Sequence, residues 1–322
     1  MSGMTVGVDI GGSGTKACVV ANGRIISTAS VPTGAVDGDG LGDIAVSALS
    51  LALTEAGARL ADIDSIGLGV PGQVSSGLVR HAANLGIGET GFDLGGYVSS
   101  ATQVVTLVEN DMRVAALGAY TQLAALDGAL RSLIYIGLGT GVSAGVILDG
   151  NIYRGSRGLA GEIGHVPVGT DVSCVCGSVG CLETLVGASA LRQGWDGETP
   201  SSVFKSAVSG NVRAQELADR VIEHLARAMW WLAAAYDPDL FFIGGGIGAS
   251  TPSIRDMLAA RWVEMAAPSA LAQRVLDPGR IRMYDLEEPV GAFGAALLAA
   301  ADGADRGYDT RKRSGRRNQS HE

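Results

Sequence analysis

VGVDIGGSGTKACVV, residues 6–20, is the stretch that decides the fold. An apolar run rich in β-branched residues breaks at glycines and small hydroxyl residues and then resumes, the pattern of a hairpin. LIYIGLGTGVSAGVIL, residues 133–148, repeats it. Two such hairpins in 322 residues predict an internal duplication, one copy per domain. Cys18, alone in the first apolar run, is expected in the core.

Helical periodicity is clearest over residues 44–60, 112–126 and 214–236. The last of these stops at Asp237-Pro238, since proline cannot continue a helix. An apolar strand, 240–243, follows and runs into Gly-Gly-Gly-Ile-Gly. Strands alternating with helices predict an α/β architecture with covered sheets. The expected domains are a smaller N-terminal α/β domain, residues 1–120 plus 292–305, and a larger α/β domain, 121–291. A hinge is expected near 120–129 and a return crossing near 289–291.

With 24 Lys and Arg against 33 Asp and Glu, the chain carries −9. Residues 306–322 are basic and expected to be a disordered tail, which leaves the remainder still more acidic. An acidic body argues against nucleic acid as a partner. The chain shows no apolar run of membrane-spanning length and no signal peptide, so a cytoplasmic protein is expected.

GEIGHVPVGTDVSCVCGSVGCLE, residues 161–183, gathers three of the 4 cysteines and one of the 4 histidines. His165, Cys174, Cys176 and Cys181 have the donor types and short spacing that suit tetrahedral Zn²⁺ in a reducing compartment. The acids Glu162 and Glu183 are not needed for that shell and are free to face a ligand.

Asp9 stands just ahead of the glycine turn Gly11, Gly12, Ser13, Gly14, Thr15 and Lys16. Backbone N–H groups and hydroxyls of such a turn can surround phosphate, and Asp9 can hold Mg²⁺ directly or through water. The turn 137–141, with Gly139, Thr140 and Gly141, has the same chemistry. Gly245 and Gly246 follow a strand and read either as nucleotide approach or as a tight strand-to-helix turn. Gly291, at the opening of an Ala-rich final helix, reads as close packing. Asp111 follows the apolar strand 104–108 and admits two roles: helix N-cap, or general base towards an attacking hydroxyl.

In this order DIGGSGTK, ENDMRVAALG, GLGTGVSAGVI, GEIGH with CVCGSVGCLE, and FFIGGGI resemble the ROK family of sugar kinases and related transcriptional repressors. The resemblance runs from residue 6 to about 300 and is most specific in the cysteine segment. It implies a two-domain actin-like ATPase fold, ribonuclease H-like, with a cleft that closes over ATP and a sugar. It further implies Mg²⁺, a structural zinc on the His-Cys₃ set, and Asp111 as catalytic base. Asn110, Glu162, His165 and Glu183 would hydrogen-bond the sugar, with Gly69, Pro71, Gly72 and Asn84 lining the sugar side. The loops 11–14 and 137–141 would hold phosphates, with Gly245 and Gly246 near the nucleoside. Homodimers or higher homo-oligomers are common in the family.

The family usually has Asn-Asp-Ala-Asn where this chain has Asn110-Asp111-Met112-Arg113. Arg113 is expected to reach a phosphate, a substrate acid or solvent. The expected reaction is phosphorylation of a hexose, glucose first and at its 6-hydroxyl. A kanosamine-like aminosugar, an N-acylamino sugar, fructose or a seven-carbon cyclitol are the alternatives, and polyphosphate the alternative donor. A sugar-responsive repressor is disfavoured, because Asp9 leaves no room ahead of it for a helix-turn-helix.

Overall fold

The structure, a computed structural model, describes residues 3–34, 38–82, 85–197, 199–286 and 288–301. Contacts divide the chain into two compact units: residues up to Thr121 with those from Glu288 onward, and Gln122–Glu287.

In the first unit β1 (Met4–Ile10), β2 (Gly14–Ala21) and β3 (Arg24–Pro32) form an antiparallel meander. The helix α1 (Gly38–Ala56) then leads to β4 (Ile63–Val70), which lies parallel to β1. Three short strands, β5 (Gln73–Ser75), β6 (Leu78–Arg80) and β7 (Phe92–Asp93), make a separate small sheet. After α2 (Leu94–Thr102), β8 (Thr106–Asn110) adds parallel to β4 and runs straight into α3 (Asp111–Leu126). The sheet order is β3-β2-β1-β4-β8.

The second unit repeats this order. β9 (Leu133–Leu138), β10 (Val142–Leu148) and β11 (Asn151–Ile152) are antiparallel, and β12 (Leu240–Gly244) and β13 (Ile281–Met283) add parallel on the other side of β9. The resulting order is β11-β10-β9-β12-β13. Between β11 and β12 lie the cysteine segment and α4 (Glu183–Val186), α5 (Ala188–Gly194), α6 (Ser202–Val208) and α7 (Val212–Tyr236). Beyond β12 come α8 (Gly245–Ser250), α9 (Ser253–Ala266) and α10 (Ala270–Val275). The duplication expected from the two hairpins therefore extends to the whole five-stranded order.

β9 is buried at every residue and β4 at nearly all, because helices cover both sheet faces. In the first unit α1 packs its Leu41, Ala45, Leu49 and Leu53 against Val6, Val8 and Leu68. The opposite face carries a final helix, α11, over residues 290–301. A side chain on Gly7 or Gly67 would collide with the carbonyls of Ala292 and Ala295, so the central strands meet that helix backbone to backbone. Cys18 joins Ala292, Phe293 and Ala296 in the core on this side.

Three expectations need correction. Residues 288–291 belong with the first unit and not with 121–291, because Val290 packs on Gly118 and Gly291 on Asp9. α1 ends at Ala56 rather than near 60, since Gly57 turns left-handed at φ +64. β8 spans Thr106–Asn110 rather than 104–108, drawn on by pairing of Gly69 with Glu109 and Val70 with Asn110. The tail 306–322 lies outside the described residues. Among the described residues, no helix is long and apolar enough to cross a membrane.

Candidate active site

The parallel strands β1, β4 and β8 end side by side, and their carboxyl ends are where open α/β sheets place ligands. Register puts Asp9 beside Gly69, and Gly69 beside Glu109. The point where a Gly69 side chain would begin lies 3.6 Å from the Asp111 Cα and 3.6 Å from an Asp9 oxygen. Two carboxylates predicted from distant motifs thus occupy one corner of the first unit. Gly291 faces the other Asp9 oxygen and has no room for a side chain there. Burial pushes the Asp9 carboxyl up to about 6, with the Lys16 cation pulling against that rise.

The turn after β1 is held from behind. Thr15 is buried; its hydroxyl is bonded to that of Thr33 at 2.9 Å, and Thr33 donates to the Gly11 carbonyl at 2.7 Å. Gly11 N–H closes the turn on the Gly14 carbonyl at 3.1 Å. Gly12, Ser13 and Lys16 are the exposed members. The Thr15 side chain therefore supports the turn from behind.

At the start of α3 the two roles of Asp111 separate. Asn110 is the cap: its Oδ1 accepts from the N–H groups of Met112 at 3.1 Å and Arg113 at 3.3 Å. Asn110 Nδ2 donates to the Gly72 carbonyl at 3.2 Å, so the loop of Pro71 and Gly72 is tied to the same corner. One amide hydrogen of Asn110 is left for a ligand. Asp111 sits on the first helical residue, its Oδ1 accepting from Met112 N–H at 2.9 Å. Arg113 corrects its expectation. It is 1% exposed and pairs with Glu109 at 2.8 Å, so it turns inward, out of solvent. Glu109 and Thr33 escaped the motif reading. The Glu–Arg spacing of four residues across a strand-to-helix junction was the available signal for the first.

In the second unit the loop 139–141 lies between β9 and β10, the counterpart of the turn after β1. Gly139 N–H donates to the Gly141 carbonyl at 3.0 Å, and Ala188 N–H to that of Gly139 at 2.9 Å. Thr140 is exposed at the tip. A side chain at Gly139 would begin 3.7 Å from Gly246 N, so these two glycine segments adjoin. Gly245 opens α8 and donates to the Tyr135 hydroxyl at 3.2 Å. The Glu183 carboxylate rests on Gly141, where any side chain would displace it, and accepts from Val142 N–H at 3.3 Å.

The cysteine segment folds into a small knuckle. Cys174 N–H donates to Ser178 O at 2.8 Å, and the chain doubles back so that Leu182 N–H meets Val166 O at 2.9 Å. That last bond staples the stretch bearing Glu162 and His165 to the stretch bearing Glu183. His165 Nδ1 stands 3.8 Å from Cys174 Sγ, and Cys176 Sγ 3.6 Å from Cys181 Sγ. All four donor atoms lie within 4.8 Å of one another. Glu162 opens the short 3-10 turn Ile163–His165 that presents the imidazole. Asn84 lies outside the described residues.

The model of the family described as ROK matches residues 5–302. The chain belongs to the ROK family. This ROK chain is 31% identical to a glucokinase of Halalkalibacterium halodurans over 91% of its own length and 94% of the relative's. It is 32% identical to an N-acetylmannosamine kinase of Escherichia coli, over 92% of itself and 99% of that protein. Among solved structures it superposes on a ROK glucokinase from Streptomyces griseus, in complex with glucose and AMPPNP. The TM-score is 0.78 at 27% identity, covering 93% of this chain and 100% of the other. Its fold is the actin-like ATPase fold of its ROK structural neighbours, and its paired five-stranded sheets are that fold's two halves.

Proposed function

We propose that this ROK protein is a sugar kinase that transfers the γ-phosphoryl group of ATP to a hexose hydroxyl, with glucose and its 6-position as the first choice. The observation that carries the reading is the division of labour at α3. Asn110 caps two N–H groups of the helix, and Asp111 begins the helix at the same corner as the Asp9 carboxylate. The attacking hydroxyl gives its proton to Asp111 as its oxygen bonds to the γ-phosphorus, and ADP departs with the electron pair of the broken P–O bond. Kinship with a glucokinase and an N-acetylmannosamine kinase supports a sugar acceptor.

Glu162, His165, Glu183 and Asn110 are assigned to the sugar hydroxyls, with Gly69, Pro71 and Gly72 on the same side. Gly11, Gly12, Ser13, Gly14, Gly139, Thr140 and Gly141 are assigned to phosphates, and Gly245 and Gly246 to the nucleoside. Asp9 fits Mg²⁺, as a carboxylate desolvated by burial and countered by Lys16, and would hold the ion directly or through water. Bound there, Mg²⁺ supplies charge neutralisation on the phosphates.

The knuckle fits zinc. Bonds of about 2.0–2.3 Å place tetrahedral N and S donors roughly 3.5–3.8 Å apart, close to the 3.8 and 3.6 Å observed. Zinc there is structural. It would hold His165 by Nδ1 and leave Nε2 for a hydroxyl. Purified protein is accordingly expected to carry about one zinc per chain, measured by elemental analysis. Cys181→Ala is expected to remove it and lower the melting temperature by roughly 10 °C or more.

The function is tested by incubating purified protein with Mg-ATP, or with polyphosphate, and a panel of sugars, and weighing the products. The panel comprises glucose, fructose, N-acetylmannosamine, aminosugars and cyclitols. Transfer to glucose from ATP is the expected result. Fastest transfer to an N-acylamino sugar would reassign the substrate, and transfer to none would defeat the kinase reading.

A further inference from the structure

Glu109 is 4% exposed, and a carboxylate so placed must be fully partnered. One of its oxygens, Oε1, serves two donors. It accepts from Arg113 Nη1 at 2.8 Å and from the backbone N–H of Asn110 at 2.8 Å. Arg113 returns the tie, since its own backbone N–H donates to the Asn110 side chain at 3.3 Å. Glu109, Asn110 and Arg113 therefore form a closed ring of contacts that brackets Asp111 and Met112 in sequence.

We infer that the buried Glu109–Arg113 pair is the device that aims Asp111, and that Arg113 is a positioning residue for phosphoryl transfer. The inference rests on the reading of Asp111 as general base. Helix ends fray, and the first turn of α3 would by itself leave the Asp111 Cα–Cβ direction loosely set. Proton abstraction in line with attack tolerates little displacement, on the order of 1 Å for 10²-fold in rate. The cation reaches the Asn110 backbone through Glu109, so it acts on the chain just before the base. The pair lies behind the strand end, and its two side chains are out of solvent at 2% and 5% exposure. A binding role for Arg113 would require breaking its buried ion pair with Glu109.

The test compares Arg113→Met, Arg113→Lys and the double variant Glu109→Gln with Arg113→Met, using glucose or the panel sugar that wild type turns over fastest. Arg113→Met is expected to lose roughly 10- to 100-fold in kcat, with KM for sugar and ATP within about threefold. Arg113→Lys keeps the cation and is expected to recover most of kcat. The double variant leaves no charge buried; it is expected to melt near wild type yet retain the kcat loss. If Arg113→Met does not fold, the double variant decides. A double variant with kcat within about twofold of wild type overturns the inference. So does one that fails to fold, which would make the pair a folding requirement only, and so does a loss carried by KM. Asp111→Asn is measured alongside. Native-like turnover there would refute the base itself, whereas a dead Asp111→Asn beside a native-like double variant refutes only the aiming role.

Discussion

Asp111→Asn is expected to lower kcat by roughly 10²- to 10⁴-fold, the usual worth of a positioned general base, with sugar affinity within a few-fold of wild type. The substitution keeps the volume and an oxygen acceptor at the first residue of α3, where Met112 N–H already donates to the Asp111 side chain. The helix loses no cap, because capping belongs to Asn110. Stability should therefore barely change, while an amide oxygen is far too weakly basic to take the hydroxyl proton. Calorimetric sugar binding together with steady-state turnover reads both halves. Turnover near the native rate would mean that another group is the base. Loss of binding as large as loss of rate would mean that Asp111 holds substrate and does not deprotonate it.

Asp9→Asn is expected to move stability and activity in opposite directions. The Asp9 carboxyl rises from its model-peptide value of 3.8 to about 6 through burial. Between those two pH values the unfolded chain has released this proton and the folded chain still holds it. The folded state thus binds more protons across the window, and stability falls as pH rises through it. A shift of about two pH units corresponds to about 3 kcal/mol at most, and partial solvent access reduces it. Above pH 6.5 Asp9→Asn should therefore gain about 1–2 kcal/mol. Near pH 4 the two proteins should melt together, since Asp9 is then protonated in wild type. Activity should fall on the order of 10²- to 10³-fold in kcat/KM for Mg-ATP, as for loss of one preorganised electrostatic group. Melting curves from pH 3.5 to 7.5 and Mg²⁺ titrations of turnover check this. A variant less stable than wild type at neutral pH would show that the Asp9 carboxylate is structurally supported instead.

Such an opposition is expected where a charge is desolvated for use: a site residue costs stability that the rest of the fold supplies. Gly291 belongs to that arrangement. Its missing side chain lets α11 pack directly against the Asp9 carboxylate. Read along the chain, Gly291 looked like packing alone; it does pack, and what it packs on is the carboxylate.

The sequence by itself determined the secondary-structure alternation, the doubled hairpin and the donor set of the knuckle. Each of these is written in spacing a few residues long: period-2 and period-3.6 runs, glycines between them, one His and three Cys within one short segment. Local spacing also exposed Asp111 but could not choose between cap and base, because Asn110 and Asp111 are both good caps. The tertiary structure shows that Asn110 caps two N–H groups of α3. β8 had to continue to Asn110 to pair with Val70, and this put the Asn110 side chain under the N–H groups of Met112 and Arg113, the first of which it shares with Asp111. The inward turn of Arg113 was decided the same way. Glu109 is buried at the end of β8, and a buried carboxylate draws in the nearest cation, one helical turn on. Which way a charged side chain faces depends on what lies across the sheet, and residues far apart in the chain supply that.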